Sequence, residues 1–431
     1  MNDATQHGTV VLRGGLYPAD ILLPDFSSVD GTRWSVVACD QYTSQPEYWQ
    51  EAEKLVGAAP STLSMILPEV WLNEASARIP GIHAAMEDCL RQVMRHHPDS
   101  MIYVERRLSG GIRRRGLIGC VDLEAYDYAR GAQSLIRATE ATVPERIPPR
   151  MAVREGAALE LPHVMLLVDD RARTVIEPLA DGMDVMPPAY DYDLMLGGGH
   201  LHGRFLTEEQ KAQVASALEA LITPEAMENR YGRAGLSPLL FAVGDGNHSL
   251  AAAKACYEKI KETLGDAALH HPARYALCEV VNLYDESLEF EPIYRVIFGV
   301  DPDDLLHKLT DYAAARRGHM PPQLLRWQAG ERRGEIVVPA PEAALAVGTV
   351  QAFLDDYMKK APAGASVDYI HGEDTARSLA LRPDAVALLF DGMRKQELFS
   401  TVISDGALPR KTFSMGHAED KRFYTEARCI R

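Results

Sequence analysis

Cysteine is sparse and scattered. The 431 residues hold six (Cys39, Cys89, Cys120, Cys256, Cys278 and Cys429), with no C-x-x-C pair. That spacing supports neither a zinc ribbon nor a disulfide framework and predicts reduced, mostly buried thiols. Cys39 stands apart because it follows the apolar Val36-Val37, but a nucleophilic thiol there would need a partner histidine and a lowered pKa. No apolar run reaches the roughly 18 residues of a membrane helix. The opening MNDATQHGTVVLRGG lacks the charged-then-apolar layout of a signal peptide, so the expected compartment is the cytoplasm. Positive charge is in deficit: 45 Lys+Arg against 61 Asp+Glu leave a net charge of −16. Such a field repels nucleic-acid phosphates and anionic lipid, and nothing reads as a helix-turn-helix. Neither nucleic acid nor a membrane is an expected partner; a small molecule is. Internal repeats and low-complexity tracts are also absent.

What is present is an ordinary globular composition, 46% hydrophobic and 25% charged. The length suits two or three units. A Pro-marked stretch, Val143-Pro144-Glu145-Arg146-Ile147-Pro148-Pro149-Arg150, suggests a boundary between a segment 1–145 and a central domain 146–300, with a C-terminal segment 301–431 packing back on the core. Residues 9–12 and 34–39 read as extended, 46–56 as a helix, and 81–96 as a longer helix. Residues 101–108 and 112–121 flank Ser109-Gly110-Gly111, a hairpin signal. This hairpin carries Arg106, Arg107, Arg113, Arg114 and Arg115, either as a solvated face or as a fork for phosphate or carboxylate. Strands are expected over 163–168 and 174–178. The glycine-rich Gly197-Gly198-Gly199 leads to His200 and His202, which would share one strand face and hold a metal only with a third ligand. The tail 416–424 mixes signs and reads as a solvated terminal element. Helices and strands intermix throughout, which predicts a mixed α/β (α+β) class.

The sharpest feature is Gly244-Asp245-Gly246-Asn247-His248-Ser249, set between a strand at 239–243 and a helix at 250–264. Gly244 and Gly246 permit a tight turn and close backbone approach. The following helix offers free N–H groups and a positive dipole end, which suits phosphate. Asp245 could hold Mg²⁺, while Asn247, His248 and Ser249 could donate to phosphate oxygens. A capped helix with a hydrogen-bonded His248 is the plain alternative. Neither G-x-x-x-x-G-K-[ST] nor G-x-G-x-x-G spacing is matched.

Residues 241–253 resemble the D-G-H-H-R-x-x-A-A segment of domain-of-unknown-function family 1015. Ile136-Arg137-Ala138-Thr139-Glu140-Ala141-Thr142 with Glu145-Arg146 is similar to that family's R-H-E-x-T…D-R stretch, and Ala407-Leu408-Pro409-Arg410-Lys411-Thr412-Phe413 resembles its M-P-x-K-S-T element. Two departures stand out: Asn247 replaces the first His and Ser249 replaces the Arg. Phosphate clamping would then fall to Arg137, Arg146 or Lys411. The D-G-H-H-R turn is itself similar to the phosphate box of the ParB/sulfiredoxin-like superfamily, whose members include CTP-binding ParB domains, ATP-using sulfiredoxins and ADP-dependent free-serine kinases. The resemblance therefore implies a ParB-like strand–turn–helix core, Mg²⁺ with ATP or ADP as cofactors, and L-serine or phosphoserine as the first substrate.

The leading expectation is a phosphoryl-transfer enzyme, kinase-like, in which residues 246–249 cradle phosphate, Asp245 holds the metal and His248 assists. Arg137 and Lys411 would offset developing charge. Glu140 is the candidate general base, with a structural Arg137–Glu140 pair as its alternative. Two other expectations use the same pocket: a regulator that binds a nucleotide or phosphoamino acid without turnover, and a metal-assisted phosphomonoester hydrolase. The D-x-D-x-T signature of haloacid-dehalogenase phosphatases is missing.

Overall fold

The computed structural model describes residues 15–108, 110–140 and 147–431. The expected strand at 9–12 lies outside them. Nine strands form the main sheet, in the order Pro188–Asp193, His200–Phe205, Ile102–Arg107, Arg113–Asp122, Tyr275–Asn282, Met165–Val168, Phe241–Asp245, Ile136–Ala138 and Tyr126–Asp127. The sheet is mixed: Phe241–Asp245 runs parallel to Ile136–Ala138 and antiparallel to Met165–Val168. It runs without interruption across the Pro-marked stretch, since strands from both sides of residue 145 pair within it. A second sheet orders Arg332–Val338, Gln323–Ala329, Ala385–Leu389, Phe290–Phe298 and Ser366–His371. Helices and strands therefore form a mixed α/β fold. No helix among the described residues is long and apolar enough to cross a membrane.

Strand periodicity explains the layering. Leu167 and Ala242 point to one face and pack with Ile297, Leu309 and Leu388 of the second sheet's layer. Their neighbours Leu166, Phe241 and Val243 point to the other face, where helix Asn247–Leu264 lays down Leu250, Ala253 and Tyr257. Strand Met165–Val168 is buried on both faces, which is why it reads as a continuous apolar run.

Several expectations are corrected. Instead of a helix over 81–96, the helix spans Ala75–Gln92 and a strand follows at Met94–Ser100. Pro80 falls inside that helix, so the proline does not mark its start. Residues 174–178 form no strand; a 3₁₀ segment, Glu177–Val185, follows Asp170, whose carboxylate accepts the amides of Thr174 (2.6 Å) and Val175 (2.9 Å). The hairpin arginines divide. Arg106 and Arg114 are buried, whereas Arg107 and Arg113 remain exposed. The tail is not solvated: Arg422, Phe423 and Tyr424 are buried.

The tail lies inside because its charges find fixed partners. Arg422 donates to Glu279 at 2.5 Å, to the Pro162 carbonyl at 3.1 Å, and to Glu426. Arg106 grips the backbone carbonyls of Gly198 (2.8 Å), Lys421 (2.5 Å) and Glu419, and Arg114 grips that of Asp420 (2.7 Å). Burial, followed by the neighbouring Arg114, pulls the Arg106 guanidinium down to about 9. Glu279 is held below its ordinary range by Arg422 and Arg114, against burial, which pushes it up most strongly. Downstream, Phe423–Tyr424 pairs with Val36–Val37, and Arg428–Cys429 with Leu159–Glu160.

Breaking a buried ion pair by removing one partner leaves an uncompensated charge and costs about 3–5 kcal/mol. Arg422→Ala should lower unfolding stability by that amount in urea titration, because Glu279 and Glu426 would both lose their guanidinium. A loss under about 1 kcal/mol, the range of exposed pairs, would contradict the structural role assigned to Arg422.

Candidate functional site

Strand Phe241–Asp245 ends at the edge of the packed core, and helix Asn247–Leu264 starts after a single residue. That residue, Gly246, has φ +80°, a left-handed conformation suited to glycine, and a Cβ there would come within 3.1 Å of Val164. Gly244 is required for a different reason: its Cβ would stand 2.8 Å from Leu167 Cγ and 3.0 Å from Met415 Cε. The turn is thus tight at both glycines. Asp245 Oδ1 accepts the Gly246 amide at 2.9 Å, and its Oδ2 lies 3.3 Å from Lys421 Nζ.

Two expected anchors converge on this turn. Thr139 follows strand Ile136–Ala138; its hydroxyl donates to the Val243 carbonyl at 2.6 Å and its amide donates to Asn247 Oδ1 at 3.2 Å. The Asn247 side chain is therefore committed to Thr139, and no side chain caps the helix. Next in sequence, Glu140 accepts the Lys411 amide at 3.1 Å and bridges Leu408 in parallel fashion. Leu408 N donates to the Thr139 carbonyl at 2.7 Å. Burial raises the Glu140 carboxyl, the amides of Lys411 and Thr412 oppose that rise, and the Asp245 charge reinforces it. Two carboxylates from distant segments thus sit within electrostatic reach of each other.

The turn at 408–412 is itself held from below. Arg295, fully buried, donates to the carbonyls of Arg410 and Lys411, each at 2.9 Å. Burial draws this guanidinium down to about 10. Lys411 takes φ +50°, which turns its amide toward Glu140 while its Nζ lies 5.3 Å from the Tyr369 ring centre. Nearby, burial lowers the His371 imidazole; Glu291 opposes that, and Lys411 and Lys421 add to it. Lys421 therefore faces Asp245, while Lys411 meets Glu140 through its backbone amide.

Other expected residues lie elsewhere or do other work. Arg137 donates to the carbonyls of Ser134 (2.9 Å), Ser237 (3.2 Å) and Pro238 (3.3 Å), at the far end of strand Phe241–Asp245 from the turn. It makes no pair with Glu140, so the structural Arg137–Glu140 alternative does not describe the fold. Arg146 lies outside the described residues. His248 is the second residue of the helix and half-buried. Ser249 Oγ meets His163 Nε2 at 3.0 Å, and His163 Nδ1 meets the Tyr424 hydroxyl at 2.9 Å. His200 bridges Asp191 (2.7 Å) and Asp193 (2.8 Å) on the strand pair at the sheet's other end. Among the described residues no group of three or more His, Cys, Asp or Glu has metal-binding geometry. A Mg²⁺ ion needs only one or two carboxylates when substrate phosphate supplies further oxygens. Asp245, with Glu140 near it, fits that donor set.

Lys421, Arg295, Thr139 and His163 are the contributors that sequence reading missed. Only Arg295 left a signal, as a lone charge inside the apolar run Ile293-Tyr294-Arg295-Val296-Ile297. Cys39 is a free thiol that burial raises to about 11, which excludes it as a nucleophile at neutral pH.

Residues 25–387 match the family described as Protein of unknown function (DUF1015), and the chain belongs to that family. No curated protein matches the sequence. Among solved structures, a free serine kinase mutant in complex with AMP aligns at a TM-score of 0.37 and 10% identity, covering 73% of this chain and 92% of that one. A conserved hypothetical protein from Pyrococcus furiosus aligns at 0.33 and 12% identity, covering 69% and 90%. A C-terminally truncated SbnI from Staphylococcus aureus aligns at 0.34 and 11% identity, covering 69% and 82%.

A carboxyl raised in the folded state favours folding when protonated, and the advantage is lost as pH rises through the folded pKa. Glu140→Gln keeps an acceptor for the Lys411 amide but carries no charge. Its melting temperature should equal wild type well below the ordinary glutamate range and exceed it at neutral pH. Melting curves of both proteins from about pH 3 to pH 8 check this; a variant less stable at pH 8 would mean that the carboxylate is structural.

Proposed function

We propose that this DUF1015 protein is a phosphotransferase, binding the phosphates of ATP or ADP at the start of helix Asn247–Leu264 and using Glu140 to deprotonate an acceptor hydroxyl, with L-serine the first acceptor to test. One observation carries the reading. Glu140 and Asp245 lie within electrostatic reach of each other beside an uncapped helix N-terminus, with Lys421 paired to Asp245 and the Lys411 amide donating to Glu140. Phosphoryl transfer asks for positioning and charge neutralisation more than for covalent chemistry, and this is a site of fixed charges. The likeness of the turn to the phosphate box of nucleotide-using enzymes supports the same reading.

Each residue then has a defined task. The start of helix Asn247–Leu264 would cradle phosphate oxygens at the positive end of its dipole. Glu140 takes the acceptor's proton; the acceptor oxygen bonds to phosphorus as the bond from phosphorus to the leaving bridging oxygen breaks. Lys411 and Lys421 offset the charge that collects on the leaving phosphate. Asp245, together with phosphate oxygens, would hold Mg²⁺, which supplies further charge neutralisation. A base raised by burial is better matched to neutral pH than an ordinary carboxylate, which is ionised but weakly basic.

A phosphorus NMR time course with Mg²⁺, ATP or ADP and L-serine tests the proposal. Wild type should yield a new phosphomonoester signal. Glu140→Gln should lower the rate by roughly 10²- to 10⁴-fold, the usual worth of a general base, without loss of thermal stability. The acid limb of kcat/KM against pH should lie above the ordinary glutamate range and disappear in the variant. Full turnover by Glu140→Gln would remove Glu140 as the base. Nucleotide binding without product would favour a regulator, and phosphate released from phosphoserine alone would favour a hydrolase.

A further inference from the structure

A cavity of about 150 Å³ lies behind the first turn of helix Asn247–Leu264, outside the cluster of carboxylates and lysines. Leu67, Leu72, Met86, Val153 and Leu161 are part of its apolar wall. At one end stand Ser249, His163 and the Tyr424 hydroxyl. The well-packed interior of a protein leaves few voids larger than a water molecule, and an apolar void of about 150 Å³ accommodates a benzene ring. The dimensions thus match a small ring or a compact branched chain.

The polar end defines the head group. Ser249, His163 and Tyr424 form one hydrogen-bonded chain, with the Cys39 amide donating to the Tyr424 hydroxyl at 3.3 Å. In a neutral imidazole one nitrogen donates and the other accepts, so the chain can run in either of two directions. If Tyr424 donates to Nδ1, Nε2 donates to Ser249 and leaves the serine proton for a ligand. With the chain reversed, Ser249 keeps lone pairs to accept one. A ligand hydroxyl, which both donates and accepts, fits either direction. An anionic head does not. Both guanidinium groups at the cavity are paired, Arg150 with Glu69 and Arg154 with Glu160 (2.6 Å), and the negative charge of Asp40 reaches His163.

We propose that this cavity is a binding site for a small uncharged molecule with an apolar body about the size of a benzene ring and a single hydroxyl head. None of Glu140, Asp245, Lys411 and Lys421 lines the cavity, although the Asp245 charge reaches His163 at its polar end. The cavity shares with the proposed phosphate site only Ser249, on the helix's first turn.

Benzyl alcohol is the probe, with toluene and benzoate as controls, followed by saturation-transfer NMR and titrated shifts of melting temperature on the full chain without nucleotide or serine. Benzyl alcohol should bind saturably. Toluene, lacking the head, should bind about fivefold more weakly, the worth of one net hydrogen bond, and benzoate at least about tenfold more weakly. Val153→Trp and Leu72→Trp, which fill the cavity from two different half-buried wall positions, should each abolish binding while unfolding stays cooperative. If one of them fails to fold, the other decides. Absence of saturable binding to wild type, binding retained by the folded filling variants, or benzoate binding as tightly as benzyl alcohol would overturn the proposal. Since no nucleotide is present, none of these outcomes bears on whether the protein transfers phosphate.

Discussion

The fold depends on buried arginines that hold the last part of the chain against the main sheet. Arg422 binds Glu279 on strand Tyr275–Asn282 and Glu426 four residues on, while Arg106 and Arg114 bind the carbonyls of the residues just before it. A buried ion pair often contributes little net stability, because desolvating both charges offsets their attraction. Its value here is positional. It fixes the course of residues 419–426, so that Lys421 reaches Asp245 and Tyr424 reaches His163. Both the carboxylate cluster and the cavity are therefore completed by a segment at the end of the chain.

The same device recurs at the other side of the turn. Arg295 spends its guanidinium on backbone carbonyls, and by doing so presents the Lys411 amide to Glu140. Arg137 likewise serves carbonyls near Pro238. In each case the arginine acts as a multi-donor brace for loops that lack regular secondary structure, a role its five N–H donors suit. An arginine in a recognised motif need not face the ligand. Charge at the site comes instead from lysines and from the helix terminus.

The carboxylate pair is an electrostatic compromise. Burial raises the Glu140 pKa, the amides of Lys411 and Thr412 recover part of that cost, and the nearby Asp245 adds a smaller rise. Stability given up at such a position is a common mark of a functional site. The turn's two glycines belong to the same constraint, since Leu167, Met415 and Val164 leave no room for a Cβ. Backbone N–H groups can then approach whatever occupies the opening.

The local pattern of the sequence already determined the central unit. The apolar run before Gly244, the paired glycines and the alanine-rich stretch after Ser249 specify strand, turn and helix through local conformational preference and periodicity, and the hairpin and helix Pro46–Val56 were legible in the same way. The motif resemblance also singled out the segments of Glu140 and Lys411, which the fold brings together across some 270 residues. Tertiary structure alone decided that Arg106, Arg114 and Arg422 are buried, that the charged tail is a structural brace, that Lys421 pairs with Asp245, and that Ser249 meets His163. Charge and hydropathy along a chain record what a residue costs to bury, but not whether a partner waits hundreds of residues away to offset that cost. Only folding, which brings those partners to within about 3 Å, the length of a hydrogen bond, settles which charges face water.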